Sequence, residues 1–281
     1  MTTLQAVRRD VALNLHDIIA LQATALGDTG GLFDAVNLTE ADDWYAGCDI
    51  VCVSTADANS LNLGHRGYVT GSSEAISGLT FQPDAPQDVA AGDRFELVNL
   101  TRLGGTLADY DLWIGSAVNK AREDRASVRI DRTVGVWLES ANLPGIAIPH
   151  EIEVFHSIFY TDVDGIVHYP ERGSRISQRG WWIDAMNRTV RIDDQLRLDM
   201  DGGTVTMVGF GPPAPLLGDS SETTISHNYL VAQASLIAAI SLQRKGRADL
   251  AQYIPYWSSL VAEEKRSLRP GNYPAGSVRV W

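Results

Sequence analysis

Apolar residues recur at helical spacing at the beginning and in the middle of the chain. In the first stretch they lie three or four positions apart, which predicts an amphipathic helix within residues 1–17 whose polar side includes Arg8. In the middle, Thr106 and Asp109 have the spacing of a capping box and precede a second periodic stretch. We therefore predict a central helix within residues 104–126.

Further helices are predicted within residues 226–268. Residues 229–242 are rich in Ala, Leu and Ile on every side, a pattern that favours a helix buried almost all round. Gly246 is suited to end this helix, because glycine readily adopts the left-handed conformation found at helix C-termini. The helical pattern resumes beyond it, where Pro255 must either kink a helix or start a new one.

Between these helices, short runs of β-branched and aromatic residues alternate with turn-forming residues. The runs fall into two groups, which predict a first β-unit over residues 18–103 and a second over residues 127–210. A Pro- and Gly-rich segment, 211–225, is predicted to link the second unit to the C-terminal helices. The expected fold is α+β: a small helical bundle with two inserted antiparallel β-units, each resembling a sandwich or a barrel.

Segment 38–47 is predicted to join a capped turn to a strand. Thr39 has the spacing to cap a short helical turn, with Asp42 returning a hydrogen bond, and Gly47 permits a left-handed exit. The apolar run 48–53 follows directly. Such a joint positions a sheet and performs no chemistry.

Charge and cysteine content narrow the functional classes. The 281 residues include 23 basic and 35 acidic ones, giving a net charge of -12. A surface of this sign repels nucleic acid, so sequence-specific DNA binding is not expected, although DNA could pass through an acidic pore without adhering.

Cys48 and Cys52 would lie about 13 Å apart in a strand, too far for a disulfide, so we expect buried thiols. We expect no secretory signal and no membrane span, and hence a soluble protein made in the cytoplasm.

The chain carries no pattern typical of a catalytic or cofactor site. It lacks the G-x-S-x-G pentapeptide of serine hydrolases, and the prolines after Gly211 remove backbone donors that a phosphate loop would need. Asp162 and Asp164 begin like a calcium loop, but Gly173 stands where its last acidic ligand belongs, so a hairpin turn is predicted. We expect no catalytic residue, no cofactor and no metal ion, and therefore not an enzyme.

The tryptophan pair Trp181 and Trp182 leaves one alternative open. Two adjacent indoles could stack on sugars, as in a carbohydrate-binding β-sandwich module. That function would require both rings to face solvent. Packing of the rings within a β-sheet core is the simpler expectation.

The C-terminal segment 269–281 has an unusual composition for a terminus. Two prolines and two glycines favour an extended chain, and residues 278–281 alternate like a strand with no partner within easy reach. We predict that this strand adds itself to a neighbouring chain, a frayed tail being the alternative. The candidate partner-binding residues are Arg269, Tyr273, Val278, Arg279, Val280 and Trp281.

Nine short motifs, taken in their order along the chain, carry a resemblance to a known family. They are turn, cap and strand signatures at residues 33–34, 38–39, 42–47, 79–83, 91–97, 117–121, 130–133, 209–212 and 243–246. In this order they resemble the head-tail adaptor, or connector, proteins of tailed bacteriophages. The resemblance spans most of the chain.

The resemblance implies a structural protein of the virion, assembled in the host cytoplasm and located in the neck or tail region. Such a protein forms a homo-oligomeric ring, dodecameric in the family, between the portal protein and a tail or nozzle protein. DNA would be passing cargo in the central channel, and no membrane would be involved. The two sizeable β-units exceed those of minimal adaptors, which leaves a tail, collar or baseplate component as an alternative.

Overall fold

The computed structural model describes residues 2–100, 103–123, 128–136, 145–173, 180–268 and 277–280. Over these residues the protein is mixed α+β, with antiparallel sheets. The helices are α1 (Leu4–Asn14), α2 (Leu107–Glu123), α3 (Asp194–Asp199), α4 (His227–Arg244) and α5 (Ile254–Leu268), with a 3-10 helix at Ala248–Tyr253. The strands are β1 (Thr2–Thr3), β2 (Ile18–Gln22), β3 (Gly31–Phe33), β4 (Asp49–Ser54), β5 (Arg66–Ser73), β6 (Gly78–Gln82), β7 (Arg94–Val98), β8 (Val128–Val136), β9 (Ile146–Ala147), β10 (Val154–Thr161), β11 (Val167–His168), β12 (Trp181–Asp184), β13 (Thr189–Ile192), β14 (Thr204–Gly211), β15 (Glu222–Thr223) and β16 (Val278–Arg279).

The chain divides into two compact units, each of which contains two separate stretches of sequence. Unit 1 comprises Met1–Ala121 and Ala214–Ser267, and unit 2 comprises Arg122–Pro213 and Leu268–Trp281. Helices from the start, middle and end of the chain therefore belong to unit 1. Most of unit 2 is an insertion between α2 and α4.

Unit 1 is built around a six-stranded antiparallel sheet in the order β2-β7-β4-β5-β6-β3. The sheet curls into half a barrel, and its two outer strands approach each other where the N–H of Thr24 donates to the carbonyl of Phe33 at 2.8 Å. Its core includes the side chains of β4, which is the apolar run predicted from residues 48–53. Both cysteines are free and buried, as predicted, and burial raises the pKa of the Cys52 thiol to about 12.

The helices of unit 1 begin and end largely where the sequence predicts. The capping box that opens α2 is reciprocal: the N–H of Asp109 donates to Thr106 Oγ1 at 3.1 Å, and the N–H of Thr106 donates to Asp109 Oδ2 at 3.2 Å. Pro255 is the second residue of α5, so it starts a new helix after the 3-10 turn. Helix α4 buries most of its length, although Ile240 is partly exposed.

The predicted capped turn at residues 38–47 is wrong in one respect. Asp42 does not return a bond to Thr39; its Oδ1 accepts from the N–H of Glu74 at 2.9 Å. Asp43 likewise accepts from the N–H of Ser72, so both carboxylates bind backbone donors at the C-terminal end of β5. The left-handed exit is confirmed, since Gly47 has φ +86°.

Unit 2 combines two antiparallel sheets over one core. The larger has the order β11-β10-β14-β8, with β16 also paired to β10, and the smaller has the order β12-β13-β9. Phe155 and Met207 from the larger sheet share an apolar cluster with Trp181 and Val190 from the smaller. Helix α3 was not predicted; Asp193 caps it by accepting from the N–H of Leu196 at 2.7 Å.

The predicted linker 211–225 contains more regular structure than its composition indicates. Strand β14 continues to Gly211, and β15 pairs with β1 through Thr2 with Thr223 and Thr3 with Glu222. Both short strands lie within unit 1, where they tie the start of α1 to the segment that precedes α4.

Candidate interaction sites

The predicted C-terminal strand exists, and it is paired within its own chain. Val278 pairs with Phe155 and Arg279 with Val154, both on β10, in antiparallel register. The N–H of Val280 extends the ladder by donating to the carbonyl of Glu153 at 2.9 Å. The side chain of Val280 is only 3% exposed and belongs to the unit 2 core.

The expectation that this strand lacks a nearby partner is therefore wrong. Strand β11 covers only Tyr160 and Thr161 at the far end of β10, which leaves the near end of that edge for β16. The pairing of β16 with β10 is hard to predict from the sequence, because more than a hundred residues separate the two strands. The partner-binding role of the terminal segment stays a prediction. Arg269, Tyr273 and Trp281 lie outside the described residues.

Arg188 holds the backbone around the terminal strand, although no pattern in the sequence indicates this role. Its Nη1 donates to the carbonyl of Val280 at 3.2 Å, and its Nη2 donates to the carbonyls of Pro149 and Ile152, each at 3.0 Å. Arg188 itself lies in the turn between β12 and β13 with φ +47°. A single guanidinium thus joins the last described residue to the segment that leads into β10.

In unit 1, a partly buried ion network joins α1 and α2 to the sheet. Arg8 Nη1 lies 3.3 Å from Asp111 and 2.8 Å from Asp219, while Arg66 contacts the same two carboxylates at 2.5 and 2.6 Å. Burial alone would raise the pKa of Asp219, but the two guanidinium groups outweigh it and hold the pKa below its usual range. The prediction that Arg8 faces away from the core is wrong, since it is 1% exposed.

A second buried carboxylate fixes the junction between α1 and α2. Asp17 is fully buried and accepts hydrogen bonds from the hydroxyl of Tyr110 at 2.9 Å and from the N–H groups of Leu100 and Gly105 at 2.9 and 3.0 Å. Burial raises the pKa of Asp17 despite these donors. A side chain on Gly104 would collide with the carboxylate, so this glycine permits the close approach.

Large apolar side chains are exposed on four α-helices of unit 1. They are Leu13 on α1, Leu112 on α2, Ile240 on α4 and Tyr256 on α5, with Tyr253 on the adjoining 3-10 helix. Single exposed apolar residues are common on protein surfaces, but large ones that recur on helices mark candidate contact faces. None of them had been identified as a site from the sequence.

Of the two tryptophan rings that could stack on sugars, one is buried. Trp181 is 2% exposed, packs edge-on against Phe155 at 5.7 Å between ring centroids, and donates from Nε1 to the carbonyl of Pro170 at 3.0 Å. Trp182 is half-buried. The expectation of core packing is confirmed for Trp181, so the pair does not form a flat exposed surface.

The acidic turn at residues 162–165 is a hairpin, as predicted. Asp162 Oδ1 accepts from the N–H groups of Asp164 and Ile166, and its Oδ2 lies 2.6 Å from His168 Nε2.

Within the described ranges, no three His, Cys, Asp or Glu side chains are grouped so that they could hold a metal ion. No helix among the described residues is both long enough and apolar enough to cross a bilayer.

The sequence matches no known protein-family model, and a search of curated proteins finds no significant match. The resemblance to head-tail adaptors is therefore carried by the ordered motifs of this chain alone.

Proposed function

We propose that this protein is a head-tail adaptor of a tailed bacteriophage. Copies of the chain would form a ring, dodecameric by the family resemblance, between the portal and a tail or nozzle protein. The ring would enclose the channel through which DNA passes. The chain would then be a structural component of the virion and not an enzyme.

The observation that carries this proposal is the nested order of the two units. Helices from the start, middle and end of the chain share unit 1, and most of unit 2 is inserted between α2 and α4. The resemblance implies a helical base with two inserted β-units; here the first sheet shares unit 1 with the helices, and the insertion of unit 2 supports the proposal. We propose that α1, α2, α4 and α5 form this base as a small bundle; a direct hydrogen bond from Asn14 Nδ2 to Ser235 Oγ at 3.1 Å supports the pairing of α1 with α4.

Two further features support an assembly role. The exposed apolar residues on the helices would be buried by contact between neighbouring subunits. The net charge of -12 suits a channel wall, because an acidic surface repels the DNA backbone and prevents it from adhering.

Electron microscopy of the purified protein, alone and mixed with the portal protein of the same phage, tests the proposal. We expect closed rings, and with the portal a second layer of density stacked on the portal ring. Rings that bind tail proteins but do not bind the portal protein would favour the alternative of a tail, collar or baseplate component. Single subunits in both samples would contradict an assembly role altogether.

A further inference from the structure

A pocket of about 230 Å³ lies between three helices of unit 1, and none of the roles described above uses it. Helix α1 contributes two polar residues, α4 contributes both polar and apolar ones, and α5 supplies most of the apolar wall. The lining residues used below are Asp10, His227, Ala232, Tyr256, Trp257 and Glu264. We call this the helix pocket.

One part of the helix pocket is acidic. His227 Nε2 lies 2.6 Å from Asp10 Oδ2, which joins α4 to α1. Ser226, the neighbour of His227, donates from Oγ to Glu264 Oε2 at 3.2 Å, which joins α4 to α5. Two carboxylates, those of Asp10 and Glu264, therefore line this part of the pocket together with one imidazole.

The remainder of the helix pocket is apolar and aromatic. Trp257 and Ala232 are buried at 3% and 4% exposure and form part of its floor. Tyr256, which is mostly exposed, lines the pocket beside Trp257. Aromatic rings next to carboxylates suit an organic cation, since a cation is attracted both to the ring faces and to the negative charge.

The size of the pocket limits the ligand. Sites for drug-sized molecules usually enclose about 300–1,000 Å³, so this pocket suits a smaller group. A lysine or arginine side chain has the required form, because its methylene stem covers apolar surface while its charged head reaches polar groups. Tyr256 and the nearby Tyr253 are also exposed, which leaves apolar surface around the pocket for a protein partner to cover.

We propose that the helix pocket receives an arginine or lysine side chain from a second copy of this chain. The choice of a second copy rests on the proposed function, in which neighbouring copies of this chain contact one another in a ring. The chain presents suitable groups: Arg129 and Arg132 on β8 are well exposed, and among the described residues their ion pairs are surface ones, with Asp131 and Glu151. Such surface pairs contribute little free energy, so either arginine can exchange its partner at small cost.

The first test measures binding of a side-chain mimic by the full chain. The probe is n-butylguanidinium, and n-butylurea serves as its neutral isostere. Binding is followed by NMR at the indole N–H of Trp257, assigned by its disappearance in Trp257→Phe. We expect a saturable shift with the cation and little with the urea. Glu264→Gln should weaken binding roughly fivefold, as should Asp10→Asn, whereas Glu263→Gln, which alters an exposed residue outside the pocket, should leave it unchanged.

The second test identifies the source of the side chain. In sedimentation velocity, Glu264→Gln and saturating n-butylguanidinium should each weaken self-association, and Glu263→Gln should not. Equal responses to the cation and the urea would overturn the cation pocket, whatever the assembly state. Cation binding without any effect on self-association would overturn the second copy as its source. A ring that fails to bind the portal would contradict the proposed function but leave both results standing.

Discussion

The two β-units differ in how their sheet edges end. In unit 1, the outer strands β2 and β3 are bridged by the hydrogen bond from Thr24 to Phe33 and by a second one, from the N–H of Gln22 to Asp34 Oδ2 at 2.8 Å. In unit 2, β8 pairs with β14 along one side, and the described residues place no strand along the other. Unpaired edges invite pairing with another chain. Among the described residues, the outer strands of unit 1 are thus bridged within their own unit, whereas β8 of unit 2 has an edge that a partner could extend.

The largest effect on stability is expected from the ion network that anchors the helices of unit 1. Arg8→Ala removes a buried cation that lies between Asp111 and Asp219, and should lower the free energy of unfolding by about 3–5 kcal/mol. The matched control is Lys245→Ala, because Lys245 and its partner Asp109 are more exposed; its cost should stay below about 1 kcal/mol. Urea unfolding measures both. Equal losses would mean that the network does not hold unit 1 together.

The next effect concerns the bridge between β2 and β3. Asp34 is fully buried and also accepts from the N–H groups of Val36 and Asn37 and from the Asn37 side chain. Burial would raise the pKa of Asp34, but these donors outweigh it and the pKa is lowered. Asp34→Asn replaces one acceptor oxygen by an amide and should cost about 2–3 kcal/mol at neutral pH.

The sign of the pH dependence follows from the lowered pKa of Asp34. The carboxylate contributes stability at pH values above its unfolded pKa, about 3.9, and that contribution is lost as the pH falls through the lower folded pKa. The difference in unfolding free energy between wild type and Asp34→Asn should therefore shrink as the pH is lowered below about 4. A difference that stays constant from pH 7 to pH 2 would show that the charge of Asp34 does not stabilise the bridge.

A smaller effect is expected at the terminal strand of unit 2. Val280→Ala removes buried methyl groups and leaves a cavity in the core of unit 2, so it should lower the free energy of unfolding by about 1–2 kcal/mol. Deleting residues 270–281 should destabilise unit 2 at least as much, because β16 and Val280 are lost together. Differential scanning calorimetry distinguishes the units if they unfold separately. An unchanged melting temperature after the deletion would show that the strand does not stabilise its own chain.

Local patterns in the sequence predict the helices and many of the strands, because capping and periodicity act over a few residues. Thr106 with Asp109 is the clearest case. Arg8 shows the limit: its position on α1 indicates a solvent-facing residue, yet it is buried because Asp111 and Asp219, far away in sequence, form ion pairs with it. The helix pocket was missed for the same reason, since Asp10 and His227 meet only after α1 and α4 have packed.

In unit 1, both the helices and the sheet carry exposed apolar residues. Leu112 on α2 and Ile76, between β5 and β6, are equally exposed, at 65% and 62%. Exchange of either residue for Asp should change the free energy of unfolding by less than about 0.5 kcal/mol, since neither side chain is buried. Leu112→Asp should nevertheless weaken self-association about tenfold, because a charge in an apolar contact loses its hydration. Ile76→Asp should have no such effect, because in the proposed function the subunits meet through their helices and not through the turn between β5 and β6. Sedimentation equilibrium compares the two variants at matched concentrations, and the same loss in both would mean that subunits do not meet through α2.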